Sequence, residues 1–137
     1  MKRVNCILLV DDNPADNEFH KIIIEEANIC DHVHIVVNGQ QALDYLLKSG
    51  EPNQSEDFPL PAIIYLDINM PGMSGFEFLA EYHKLDENLK SKVMIVMLTT
   101  SLNPDDRIRA MTDKEVTEFE TKPLTVEMLQ EIVEKYF

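Results

Sequence analysis

The stretch that most constrains the fold is Pro61-Ala62-Ile63-Ile64-Tyr65-Leu66-Asp67-Ile68-Asn69-Met70-Pro71-Gly72. Its apolar run lacks the polar alternation of a half-exposed strand. It therefore reads as a strand buried on both faces, the habit of parallel sheets. The run stops at an aspartate and breaks at Pro71 and Gly72, which mark a loop. Open α/β sheets bind ligands beyond the carboxyl ends of their strands, so Asp67 stands at a functional edge. Taken alone, a strand-end aspartate is most simply a loop cap. Two further strands change that reading.

Ile7-Leu8-Leu9-Val10-Asp11-Asp12 is a second buried-type strand ending in acids. Met94-Ile95-Val96-Met97-Leu98-Thr99-Thr100 is a third, ending in hydroxyls, and Lys122-Pro123 follows later. Acid pair, lone acid, hydroxyl and lysine, each at a strand end and in this order, resemble the receiver domain of bacterial response regulators. The resemblance runs from about Asn5 to Phe137. It implies a single receiver domain over residues 1–137 with no output domain.

Composition narrows the function classes. A formal net charge of −13 leaves no basic footprint for a phosphate backbone, so nucleic-acid binding is not expected. The apolar runs are too short to span a bilayer, and Met1-Lys2-Arg3 leads into a strand rather than a signal-peptide core. Cys6 and Cys30 have no metal-type spacing, which suits two reduced thiols in a cytoplasmic protein.

Strands and helices alternate along the chain. Asn13-Pro14 caps a first helix whose Ala15, Phe19, Ile22, Ile23 and Ala27 are expected inward. The second strand, His32 to Val37, alternates like a sheet edge. His32 and His34 share a face there, and without a third ligand they read as a solvated pair. Asn38, with Gln41 three positions on, starts a helix burying Ala42, Leu43, Leu46 and Leu47. A polar surface loop from Gly50 to Leu60 precedes the central strand. Ser74-Gly75-Phe76-Glu77 is a capping box for a third helix, with Phe76, Leu79, Ala80 and His83 inward. The fourth strand spans about Lys92 to Leu98. Asn103 then caps a helix with only Ile108 and Met111 as apolar anchors, expected to be the least firmly docked. An edge-like strand from Val116 to Thr121 leads to a last helix burying Val126, Leu129, Ile132, Val133 and Tyr136. Right-handed crossovers then build an α/β, flavodoxin-like (βα)5 three-layer sandwich with a parallel five-stranded sheet. Its strand order is 2-1-3-4-5, the order known for this class, with Asp11, Asp12 and Asp67 at the switch point.

Carboxylates sharing a crevice repel: two unit charges ~4 Å apart cost about 4 kcal/mol at an effective dielectric of ~20. Either one is protonated or a cation sits among them. All-oxygen ligands favour Mg2+, which keeps water positions open and prefers phosphoryl oxygens. Neither a P-loop nor a dinucleotide-binding glycine motif is present. Covalent phosphoryl transfer to a carboxylate is the chemistry that remains.

The receiver resemblance assigns roles. Asp67 is the phosphoacceptor, Asp12 binds Mg2+ directly, Asp11 binds through water, and Asn69 contributes its backbone carbonyl. Lys122 holds the phosphoryl group, Pro123 follows a cis bond, and Thr99 with Phe119 forms the switch pair. Thr100 stands where receivers mostly carry a smaller residue, and Phe119 lacks the hydroxyl of the tyrosine often found there. Asn69 and Ser101 flank an incoming water in this reading. The implied donor is a sensor histidine kinase or phosphotransfer protein. Output then passes to an unknown downstream protein or a second copy of the chain, not to nucleic acid or membrane.

Two other readings compete. An aspartate-nucleophile phosphohydrolase typically carries a second acid two residues on, where this chain has Asn69. A pseudo-receiver would have lost part of the acid, threonine and lysine set, which is complete here. A phosphoacceptor rather than a turnover enzyme is therefore expected.

Overall fold

The computed structural model describes residues 2–49, 59–100 and 103–137. Most of the polar loop from Gly50 to Leu60, and Ser101, lie outside the described residues. The elements are β1 (Val4–Val10), α1 (Pro14–Ala27), β2 (Cys30–Val36), α2 (Gly39–Ser49), β3 (Ile63–Leu66) and α3 (Gly75–Tyr82). They continue as α4 (Glu87–Lys90), β4 (Met94–Thr99), α5 (Pro104–Thr112), β5 (Val116–Thr121) and α6 (Val126–Tyr136). All strands pair in parallel, as the alternation of apolar runs and helices implied, and their order β2-β1-β3-β4-β5 is the one expected from the known order of this class.

The sheet divides the core in two. Leu8, Val10, Ile64, Leu66, Ile95 and Met97 face α2, α3 and α5, where Leu46, Phe78, Tyr82 and Ala110 close the layer. Ile7, Leu9, Ile63, Tyr65, Val96 and Leu98 face α1 and α6, against Ile24, Leu129 and Val133. Burying each such aliphatic side chain is worth roughly 1.5–3 kcal/mol. Double-sided burial is why these strands carry continuous apolar runs.

Helix starts follow the sequence signals. Asn13 accepts from the amides of Ala15 and Asp16, with Pro14 opening α1. Ser74 and Glu77 form the reciprocal capping box of α3, and the Asn103 side chain accepts from Asp105 N–H. At α2 the Asn38 carboxamide accepts from Gln41 N–H, but Gln41 reaches back to Val37 rather than to the cap.

Several helices are rotated from the expected facing. In α1 the buried residues are Asn17, His20, Ile24 and Ala27, whereas Phe19 and Ile22 are 46% and 47% exposed. The cause is polar. Asn17 donates through Nδ2 to the Asp11 carbonyl at 2.8 Å, which turns that face toward the sheet. In α2 Tyr45 is buried and Leu47 is exposed, because the Tyr45 hydroxyl donates to the Pro59 carbonyl at 2.7 Å. In α3 Phe78 and Tyr82 point inward while Ala80 is exposed. In α6 Tyr136 is exposed, its hydroxyl donating to Glu118 at 2.7 Å.

Helix α5 is thinly anchored, as expected, but for a different reason. Ile108 and Met111 are exposed and only Ala110 is buried. Cations supplement it: Arg107 lies over the Phe119 ring at 5.7 Å and Arg109 over Phe76 at 4.0 Å. The turn after α5 is tied to α3 by His83, whose Nε2 is 3.1 Å from Asp113 and whose Nδ1 is 3.6 Å from Glu115. Short α4 adds a buried lysine to that tie. Lys90 donates to the His83 carbonyl at 2.8 Å and pairs with Glu87 at 2.9 Å. On β2 His32 is exposed, whereas half-buried His34 stacks on Tyr45 at 4.6 Å, so the two histidines are not a matched solvated pair.

One half-buried acid predicts a pH dependence. Glu120 Oε1 on β5 is buried without a hydrogen-bond partner. Burial, reinforced by Glu118 and Glu131, pushes this carboxyl up to about 7. An acid whose folded pKa is raised contributes stability that is complete below its unfolded value and is lost as pH rises through the folded one. The thermal stability of the wild type should therefore fall between about pH 4.5 and 8. Glu120→Gln should flatten that decline, and an unchanged pH profile in this variant would refute the assignment.

Candidate functional site

The site forms where strands β1, β3 and β4 end and the chain leaves the sheet. Backbone hydrogen bonding continues into the functional residues themselves. Asp11 N–H donates to the Val36 carbonyl at 3.1 Å and Asp67 N–H to that of Val10 at 3.0 Å. Lys122 N–H donates to the Thr99 carbonyl at 2.9 Å, so the lysine's backbone is pinned to the threonine's. The Lys122–Pro123 bond is cis. Each side chain is thus aimed by the sheet rather than by a free loop.

Asp11, Asp12 and Asp67 come together: one oxygen from each lies within 4.8 Å of the others. Asp11 and Asp67 are buried and Asp12 is exposed. Asp11 Oδ1 accepts from Asn13 N–H at 3.0 Å, and Asp67 Oδ1 from Ile68 N–H at 2.8 Å. Each buried carboxylate keeps its second oxygen for the crevice. Lys122 Nζ reaches Asp11 Oδ2 at 2.5 Å, Asp16 Oδ2 at 2.8 Å and Asp67 Oδ2 at 3.3 Å. Buried Thr99 hydrogen-bonds Asp67.

The electrostatics follow from that crowding. Burial raises the Asp67 carboxyl above the ordinary aspartate value, the Lys122 charge opposes this, the Asp11 charge adds to it, and Thr99 opposes it. Burial pulls Lys122 down, but its hydrogen bonds to Asp11 and Asp16 outweigh it and hold the ammonium above the ordinary lysine value. His20, under the site on α1, is lowered by burial and then by Lys122.

The donor set is all oxygen, with no thiolate or imidazole in the group. It fits a hard divalent cation such as Mg2+. Asn69 is exposed in the loop after β3, two residues beyond Asp67. Phe119 is half-buried on β5 opposite Met97, near the surface that α5 covers. Sequence reasoning missed Asp16 and His20. Asp16 lies in the first turn of α1, and the signal that could have found it is its place a few residues after the acid pair.

A family model for the response regulator receiver domain matches residues 7–134. The chain is similar to response regulator Rcp1 of Synechocystis sp., 38% identical over 102 residues, which cover 74% of this chain and 66% of Rcp1. The chain thus spans just under two thirds of that relative. It is also similar to the probable methanogenesis regulatory protein FilR2 of Methanothrix harundinacea, 33% identical over 129 residues, 94% of this chain and 79% of FilR2. Among solved structures, a two-component response regulator from Cytophaga hutchinsonii matches with a TM-score of 0.86 and 28% identity, covering 98% of this chain and 97% of that one. Among the described residues no helix is long and apolar enough to cross a membrane.

Proposed function

Because the chain belongs to the response regulator receiver domain family, we propose that it is a cytoplasmic signalling protein phosphorylated on Asp67 in the presence of Mg2+. The observation that carries this reading is the convergence of Asp11, Asp12, Asp67 and Lys122 in one crevice. Receiver domains accept phosphoryl groups from histidine kinases or phosphotransfer proteins, and the same class of donor is inferred here. An Asp67 carboxylate oxygen forms the new bond to phosphorus as the donor's bond to phosphorus breaks. The leaving group departs with that electron pair and takes up a proton. Asp11, Asp12, Asp67 and the backbone carbonyl of Asn69 would hold Mg2+, which neutralises charge on the phosphoryl oxygens. Lys122 and Thr99 would take the remaining oxygens by ammonium and hydroxyl donation.

The acyl phosphate is a signal rather than a turnover product. It adds charge and strong acceptors beside Thr99. Thr99, which already hydrogen-bonds Asp67, would pass that bond to the phosphoryl group and let Phe119 turn, and thinly anchored α5 lies over that ring. Output is then a changed affinity for a downstream protein or a second copy of the chain. The shift can be no larger than the difference in how the phosphoryl group engages the two states.

Acetyl phosphate with Mg2+ should add one phosphoryl mass to the wild type, and peptide mapping should place it on Asp67. Asp67→Asn should lose essentially all labelling. Labelling of that variant at the wild-type rate would sink the acceptor assignment.

A further inference from the structure

We propose that Asp16 is a positioning residue for Lys122: a second seat for the ammonium, used when a cation or phosphoryl group takes over Asp11 and Asp67. The inference rests on the receiver reading above.

The geometry points to this role in three steps. A lysine ammonium carries three donors, and here Asp11, Asp16 and Asp67 all lie within hydrogen-bond distance of it. Two of those acceptors belong to the acid triad suited to a divalent cation, and Asp16 does not. In this structure Lys122 therefore neutralises the same oxygens that a cation would need. A dication at the triad and an ammonium on Asp11 cannot both hold those oxygens without like-charge repulsion. The lysine has to move.

Where it can go is limited. Its side chain is only 8% exposed, so retreat into water is not open without withdrawing it from its pocket. The Asp16 side chain is 36% exposed and already 2.8 Å away, at the wetter side of the crevice. Asp16 is also fixed in place. Its N–H donates to the Asn13 cap at 3.1 Å in the first turn of α1, where the helix dipole favours an anion. Lysine's flexible stem lets a compact charge shift between neighbouring carboxylates while its backbone stays on Thr99. With Asp16 present, Lys122 can yield the triad yet remain paired. Without it, Lys122 stays on Asp11 and Asp67 and competes with the incoming cation.

A double-mutant cycle tests this. Mg2+ affinity is titrated by amide chemical shifts in wild type, Asp16→Asn, Lys122→Met and the double variant. Asp16→Asn should weaken Mg2+ binding about fivefold or more when Lys122 is present, and about twofold or less in the Lys122→Met background. An exposed-charge control, Asp44→Asn on α2, reports what one lost negative charge does by itself. Equal weakening in both backgrounds, or none in either, would overturn the proposal. If Lys122→Met does not fold, Asp16→Glu carries the test, since a longer carboxylate should restore affinity that Asp16→Asn loses. Failure of Glu to improve on Asn would count equally against it. The titration involves no phosphoryl transfer. Coupling seen in a chain never labelled on Asp67 sinks only the acceptor reading, and additivity in a chain labelled there sinks only the Asp16 role.

Discussion

Gly75→Ala is expected to destabilise the protein by about 1–3 kcal/mol or more and to depress Asp67 labelling with it. A Cβ at Gly75 would overlap the Asp67 carbonyl oxygen and lie 3.0 Å from Ile68 Cα and 3.2 Å from the Asp67 carbonyl carbon. All three are backbone atoms, so no flexible side chain can swing aside. Gly75 N–H also donates to the Ile68 carbonyl at 2.8 Å, which presses the start of α3 directly against the exit of β3. An added methyl therefore pushes on the segment that aims the Asp67 carboxylate. Helix propensity alone makes the opposite forecast, because alanine is about 1 kcal/mol better than glycine within a helix. The sign of the result separates the two effects. Urea unfolding of Gly75→Ala with an unchanged or higher midpoint would show that α3 can shift freely away from Asp67.

That glycine illustrates what was legible in the sequence and what was not. The buried runs around Leu8, Ile64 and Val96 announced a parallel sheet, because only double-sided burial explains strands without polar alternation. Their terminal Asp11, Asp67 and Thr99 then had to share one edge, and the structure brings Asp12 and Lys122 to it as well. Apolar periodicity failed where polar residues choose the buried face. Asn17 turns α1 inward through its bond to the Asp11 carbonyl, His20 is buried on the same face, and Phe19 and Ile22 are left outside. The same blindness hid Asp16, whose partner is 106 residues away. Buried Lys90 was equally invisible, since its acceptors come from α4 itself, the end of α3 and the turn before β5. Four-residue α4 is too short to show any period.

Lys122→Met is expected to cost about 3–5 kcal/mol at pH 7, because removing one partner of a buried ion pair strands the others. Asp11 and Asp67 are buried, and the ammonium is the one cation within 4 Å of either among the described residues. The deficit should depend on pH in a definite direction. Burial already raises the Asp67 carboxyl, and Lys122 holds that rise in check. Without the lysine the folded-state value climbs further. An acid raised on folding contributes stability below its unfolded value, near 4 for aspartate, and loses it as pH climbs through the folded value. The gap between variant and wild type should therefore be widest at neutral pH and close as the solution is acidified into the carboxylate range. Mg2+ offers an independent check, since a ligand that binds only the folded state adds about 2.7 kcal/mol at a hundred times its Kd. With the competing ammonium gone, Mg2+ should raise the unfolding midpoint of Lys122→Met by more than that of wild type. A deficit that stays constant from pH 7 to pH 4, or a variant that Mg2+ does not stabilise, would show that Lys122 does not neutralise the acid cluster.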